Sequence, residues 1–254
     1  MRFKKDAMIR LLRLIAVCSM LFAGCSKEPV SPRSEPEPAS SEQTEYVSPI
    51  DFDYLKGESS DIYAWITVPG SKVDYPVLSH EGDEDFYLRR DIYGKYSFAG
   101  SLYTQSGYNK SDFSDRVTII YGHNMTDETY FGGLQRIYSD PELFEENNTF
   151  TIYMPDRELH YEVIASLPFG DRHVIRLYGG FTEDRDVVEF LDYAFSVNSP
   201  IANHKRDFEY TGAEKLVILQ TCQYPDYSQR YLTVGMLIDR EPPLAGEVAE
   251  PIAA

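Results

Sequence analysis

The sequence is poor in cysteine, tryptophan, histidine and positive charge. Its 254 residues include three cysteines, one tryptophan and five histidines. Cys18 lies inside an N-terminal apolar stretch and Cys25 ends it, so the region that follows keeps one cysteine, Cys222. A single thiol cannot build a disulfide framework within that region; it is either an inert core residue or a nucleophile. The histidines, at 80, 123, 160, 173 and 204, are scattered, and no cysteine pair has metal-ligand spacing. Asp83-Glu84-Asp85 lacks the alternation of a calcium loop and reads as a solvated turn. There is no glycine-rich phosphate loop, so neither metal nor cofactor is implied. Basic residues number 24 against 41 acidic, a formal charge of −17. Five bases and one acid fall in residues 1–24, so the remainder carries −21. So acidic a surface argues against nucleic acid or anionic lipid as a ligand and suits a cationic or neutral partner.

Long apolar runs are also missing. The N-terminus has a basic start (Arg2, Lys4, Lys5, Arg10, Arg13) and an uncharged core from Leu14 to Gly24. That core is short of the roughly 20 apolar residues of a membrane-spanning helix and fits an export signal. Its end, Leu21-Phe22-Ala23-Gly24-Cys25, resembles the lipobox of bacterial lipoproteins, with Cys25 as candidate lipid attachment and Phe22 where Leu is usual. A short uncleaved anchor and ordinary secretion are the alternatives. Residues 26–45 are Ser, Glu and Pro with almost nothing apolar, a disordered linker of roughly 60 Å. Residues 241–254 read as a flexible tail. One domain of sufficient size for a core remains, 46–240.

That domain is expected to be mainly β. Eight runs rich in Val, Ile, Tyr and Thr are bounded by turn residues: 64–68, 73–77, 100–104, 117–121, 149–154, 159–166, 216–221 and 231–238. Eight such strands predict a closed or nearly closed barrel. A short helix within 51–64 leads into the first strand. Further helices are expected at 129–138, at 140–147 with Asp140 as N-cap and Pro141 at the first position, and at 184–197. The last has Val187, Val188, Leu191, Ala194 and Phe195 on one face and is inserted between late strands.

Three residues stand at strand ends. Cys222 closes Leu216–Thr221, and Arg230 opens the run after a short link, Gln223–Gln229. An antiparallel pair would bring both to one end, where a guanidinium favours a thiolate or a developing oxyanion. His123 ends Val117–Tyr121 after Gly122, which permits a tight turn aiming the ring into a barrel mouth. Imidazole titrates near neutrality and can move a proton to a leaving amine. A cysteine thiol in water is only a few per cent ionised at neutral pH, so protonated His123 and Arg230 are expected to raise the thiolate fraction. The bland alternatives are a buried thiol and a surface arginine.

These residues carry a resemblance. Thr118-Ile119-Ile120-Tyr121-Gly122-His123-Asn124-Met125 resembles the histidine motif of class B sortases, and Leu219-Gln220-Thr221-Cys222 with Arg230 resembles their cysteine–arginine signature. Ala64–Val77, Phe86-Tyr87-Leu88 and Ala99-Gly100-Ser101-Leu102 agree, and the similarity runs from about 51 to 239. The resemblance implies a sortase β-barrel and a cysteine transpeptidase without cofactor. Such an enzyme cleaves a sorting signal after Thr through a thioacyl-enzyme and passes the protein to an amine of peptidoglycan or its precursor. It implies Cys222 as nucleophile, His123 as general acid/base and Arg230 as oxyanion stabiliser. Gln220, Thr221 and Asn124 become candidate substrate-binding residues; Gln220 stands where members often have Ser. The implied partners are surface proteins with a C-terminal sorting signal and a peptidoglycan amine. The implied place is the outer face of a Gram-positive membrane, with an N-terminal tether. A cysteine hydrolase with the same three residues and an inactive surface-binding lipoprotein are the rival readings.

Overall fold

The computed structural model describes residues 46–241. The leader, Cys25, the linker and residues 242–254 lie outside the described residues. Helix α1 (Phe52–Glu58), capped by Asp51, leads into β1 (Ile62–Val68), whose alternate residues Ile62, Ala64, Ile66 and Val68 are buried. Then come β2 (Val73–His80), a 3₁₀ turn at Phe86–Arg89, β3 (Leu102–Gln105) and β4 (Val117–Tyr121). Two short helices, α2 (Leu134–Ser139) and α3 (Pro141–Glu146), precede β5 (Thr149–Tyr153) and β6 (Glu158–Phe169). An insertion follows with α4 (Val174–Leu177), α5 (Asp184–Ser196) and the two-residue β7 (Asn203–His204). Strands β8 (Leu216–Cys222) and β9 (Arg230–Glu241) end it.

Around the sheet the order is β5-β1-β2-β3-β4-β8-β9-β6, and β5 pairs with β6, so eight strands close into a barrel. The ninth, β7, hangs on β6. Only β2–β3 and β4–β8 are parallel; the other pairings are antiparallel. The expected barrel is thus present, with all eight predicted strands in place and β4 at the predicted bounds.

Two apolar clusters explain the closure. One fills the barrel, with Ile66, Leu102, Ile120, Phe131, Phe150, Tyr161, Leu219 and Tyr231. The other lies outside the β4-β8-β9-β6 wall and is covered by the insertion. Helix α5 buries Val187, Phe190, Leu191 and Ala194 there. Its three large side chains contribute roughly 5–9 kcal/mol of apolar burial, as an upper figure. Phe190 belongs to that face, while Val188 and Phe195 are only half-buried. The carboxylate of Asp186 reaches back to the Glu183 N–H at 3.1 Å and fixes the first turn.

Helix α2 starts later than the expected 129–138. Tyr130 has a left-handed backbone (φ 52°), and a Cβ at Gly132 would run into the Met125 backbone, so 129–133 is a tight loop. Helix α3 has the expected Asp140 cap and Pro141 start. The Asp83–Asp85 turn is tied into the fold: Glu84 accepts from the Gly107 N–H at 2.9 Å, and Asp85 accepts from Tyr103 and Gln105. Among the described residues no helix is long and apolar enough to cross a membrane.

Candidate active site

The site lies at one end of the barrel, where β4 and β8 finish and β9 begins. In β8–β9, Cys222 pairs directly with Arg230. Directly opposed residues project from the same face of a sheet, so the thiol and the guanidinium share it. Parallel pairing sets Tyr121 opposite Gln220, and the Gly122 N–H continues the ladder to the Gln220 carbonyl at 3.1 Å. His123 therefore leaves β4 level with Cys222. Leu88, Tyr103, His123, Gln220, Cys222 and Arg230 all line one pocket of about 110 Å³.

His123 is half-buried. Its Nε2 lies 2.8 Å from the Leu88 carbonyl oxygen, its ring stacks near Phe98 at 6.4 Å between centroids, and the Arg89 guanidinium stands over Phe98. A carbonyl only accepts, so Nε2 carries the proton and Nδ1 is left with a free lone pair. Burial pushes the imidazole below its ordinary value; the Leu88 contact opposes this and Arg89 adds to it. The resting ring is thus biased to the neutral form. Burial and the Arg89 charge both act against the protonated His123 that the sequence reading expects beside a thiolate.

Arg230 donates from one nitrogen to the carbonyls of Tyr227 (3.5 Å) and Gln229 (3.3 Å). Gln220 lies two residues before Cys222 on the same face, and its buried Oε1 has no partner among the described residues. Thr221 also lines the pocket, although strand alternation turns its side chain to the opposite face; it is 3% exposed, with a hydroxyl that likewise lacks a partner among the described residues. Asn124 does not line this pocket; its Nδ2 donates to the Cys222 carbonyl at 2.7 Å. Its side chain is committed to holding the strand end. The pocket floor has the stacked Tyr103 and Tyr121 rings, 5.4 Å apart, with both phenols kept protonated by burial.

Gly122 has a different role from the expected turn. Its φ is not left-handed; instead an added Cβ would overlap Leu102 and approach the Phe131 ring at 2.6 Å. The glycine lets the core press against the backbone that carries His123. Sequence reasoning also missed Arg89, Phe98 and Gln135. Gln135 Nε2 donates to the Tyr224 carbonyl and its Oε1 accepts from the Tyr224 N–H, both at 2.7 Å, clamping the Cys222–Arg230 link onto α2. Leu88 lies in the Phe86-Tyr87-Leu88 segment, to which the sequence alone assigns no role.

No family model matches the chain. Sortase B of Listeria monocytogenes is 27% identical over 188 residues, 73% of each chain, and sortase B of Staphylococcus aureus is 26% identical over 205 residues, 78% of each. The solved class B sortase of Streptococcus pyogenes involved in pilus biogenesis is 26% identical with a TM-score of 0.60, covering 74% of this chain and 98% of that one. A closed eight-stranded barrel with cysteine, histidine and arginine gathered at one mouth defines a sortase-type cysteine transpeptidase. In sequence and in fold the chain is similar to class B sortases.

Proposed function

We propose that Cys222, His123 and Arg230 carry a sorting transpeptidation at the outer face of a Gram-positive membrane. The observation that carries this is the facing Cys222–Arg230 pair with His123 leaving the adjoining parallel strand, all on one pocket. Neutral His123 takes the thiol proton at Nδ1, and the thiolate attacks the carbonyl after Thr in an extended sorting peptide. Arg230 donates to the tetrahedral oxyanion. His123 returns the proton to the departing amine, leaving a thioacyl-enzyme. Gln220, with an unpaired acceptor beside the thiol, hydrogen-bonds the peptide. An amine of peptidoglycan or its precursor then attacks, with His123 as base.

The N-terminal 1–25 segment exports and tethers the chain, through Cys25 if lipidated, and 26–45 spaces the catalytic domain from the membrane. Protein substrates are surface proteins with a C-terminal sorting signal. The test incubates residues 46–254 with Pro-x-Thr-Gly and Pro-x-Thr-Asn peptides, with and without triglycine or diaminopimelate, and reads products by mass spectrometry. A thioacyl adduct on Cys222 that converts to an amine-linked product is expected. Cys222→Ala should fold normally and give neither; transfer by that variant would remove the thiol from the nucleophile role. An adduct released only as free acid, whichever amine is added, would point to a hydrolase.

A further inference from the structure

A second cleft, of about 490 Å³, opens on the other side of the Cys222 strand end. Its walls include Asn124, Glu128, Gln135, Arg136, Tyr224 and Tyr227. It meets the catalytic pocket through the backbone: His123 and Cys222 line one, while Asn124 and Tyr224 line the other. The Asn124 amide, bonded to the Cys222 carbonyl, forms the divide. A transpeptidase must admit a second amine to the acyl carbon once the first has left. Here the second cleft adjoins the cysteine through Asn124, bonded to the Cys222 carbonyl, and through Tyr224, two residues further along the chain.

The chemistry of this cleft is particular. Arg136 Nε donates to Glu128 Oε1 at 2.7 Å, and Nη2 donates to Oε2 at 3.3 Å. The third guanidinium nitrogen, Nη1, has no hydrogen-bond partner among the described residues. Glu128 holds the fork from a left-handed backbone (φ 66°), rare for a residue with a Cβ. The arginine is thus oriented at one edge and open at the other, as suits a further carboxylate. Lys72, whose Nζ donates to the Asp127 carbonyl, adds to the positive field at Glu128, and the Asp127 carboxylate is turned onto Thr129. The Tyr224 and Tyr227 rings stand edge to face at 6.1 Å and are largely exposed, a wall for methylene groups.

We propose that this cleft is the acceptor subsite and that it selects an amine whose own molecule bears a carboxylate, held by Arg136. This rests on the proposed transpeptidation. With the carboxylate on Nη1 and the carbon chain along the tyrosines, the free-base amine reaches the thioacyl carbon. A C–N bond forms and the C–S bond breaks. Sulfur leaves as the Cys222 thiolate, and the extra amine proton passes to His123.

The test compares diaminopimelate, lysine and cadaverine, which share the same spacing of two amines and carry two, one and no carboxylates. Acceptor KM and kcat are measured by product mass after the donor peptide has loaded the enzyme, and the thioacyl adduct is followed separately with no amine present. Diaminopimelate is expected to have the lowest KM. Arg136→Met should raise that KM about tenfold and erase the ranking, the size of one charged hydrogen bond at a partly exposed site. Arg136→Lys, which keeps charge but loses the fork, should fall between and serves if Arg136→Met does not fold. Equal use of the three amines by a wild-type enzyme that forms the adduct overturns the subsite. An unchanged ranking in Arg136→Met overturns it too. Absence of the adduct overturns the transpeptidation itself, and the subsite with it.

Discussion

Replacing Gly122 by alanine tests whether the site is set by core packing. The added methyl would overlap Leu102 and lie 2.6 Å from the Phe131 ring, and both residues are essentially fully buried. Neither can swing into solvent. Phe131 is bound in turn to the site, since its N–H donates to the His123 carbonyl at 3.0 Å. Relief must therefore come from a shift of β4's end or of the 129–133 loop. Overpacking of this kind costs about 1–3 kcal/mol. For a domain of this size that lowers Tm by roughly 2–12 °C. Because the displaced backbone carries His123, transfer activity should fall about a hundredfold, as for a misplacement of about 1 Å. Circular dichroism on heating and mass-resolved transfer give the two readouts. Phe131→Leu in the same chain should restore part of the Tm, so that the double variant is less destabilised than the two single losses added. A Gly122→Ala protein with wild-type Tm and activity would refute the packing argument.

Gln135→Ala removes both hydrogen bonds that hold the Tyr224 backbone. A loss of about 1–2 kcal/mol is expected, with kcat/KM falling about tenfold as the Cys222–Arg230 link loosens; denaturant melts and steady-state transfer measure them. His123 is held below its ordinary 6.5, so the acidic limb of kcat/KM should lie below that pH. Arg89→Gln removes one of the causes and should move the limb upward; a limb that moves down would refute the assignment to His123. The sign for stability is consistent: a depressed His123 contributes stability above its unfolded value, lost as pH falls through the folded one, so acid melts of His123→Gln should be less steep below pH 6.5.

The barrel was legible because each strand carried its own signal. Strand β1 alternates buried and half-buried residues, and β4 is an apolar run with Gly122 at its end. The Cys222–Arg230 pairing was legible because seven residues join the strands and leave little choice but an antiparallel pair. The nearness of His123 to Cys222 was not, since it depends on a parallel pairing between segments 99 residues apart. Helix α4 has four residues, too few for a periodic pattern. The late start of α2 turned on the left-handed Tyr130 and on a glycine pressed to backbone, neither of which has a compositional mark. The surroundings of His123 were not legible for a similar reason: the carbonyl that accepts its ring N–H and the aromatic ring that stacks near it come from Leu88 and Phe98, on a distant loop.

Topology alone explains why three chemically different side chains converge. Parallel β4 and β8 end on the same side of the barrel, so whatever follows each strand emerges there. Antiparallel β9 must start on that side. A histidine just past β4, a cysteine closing β8 and an arginine opening β9 are then neighbours without any loop having to reach across. The ladder continues past the strands as Gly122 N–H to Gln220, and the link closes as Gln223 N–H to the Gln229 carbonyl at 3.0 Å. Backbone bonds therefore set the thiol and the guanidinium, whereas the imidazole is set by its packing and by Leu88. Losses at His123 should accordingly follow core packing, and losses at Cys222 and Arg230 should follow the link and its Gln135 clamp. The 129–133 loop that must yield to Gly122→Ala runs directly into α2 and Gln135, so Gly122→Ala and Gln135→Ala should couple in stability while both lower turnover.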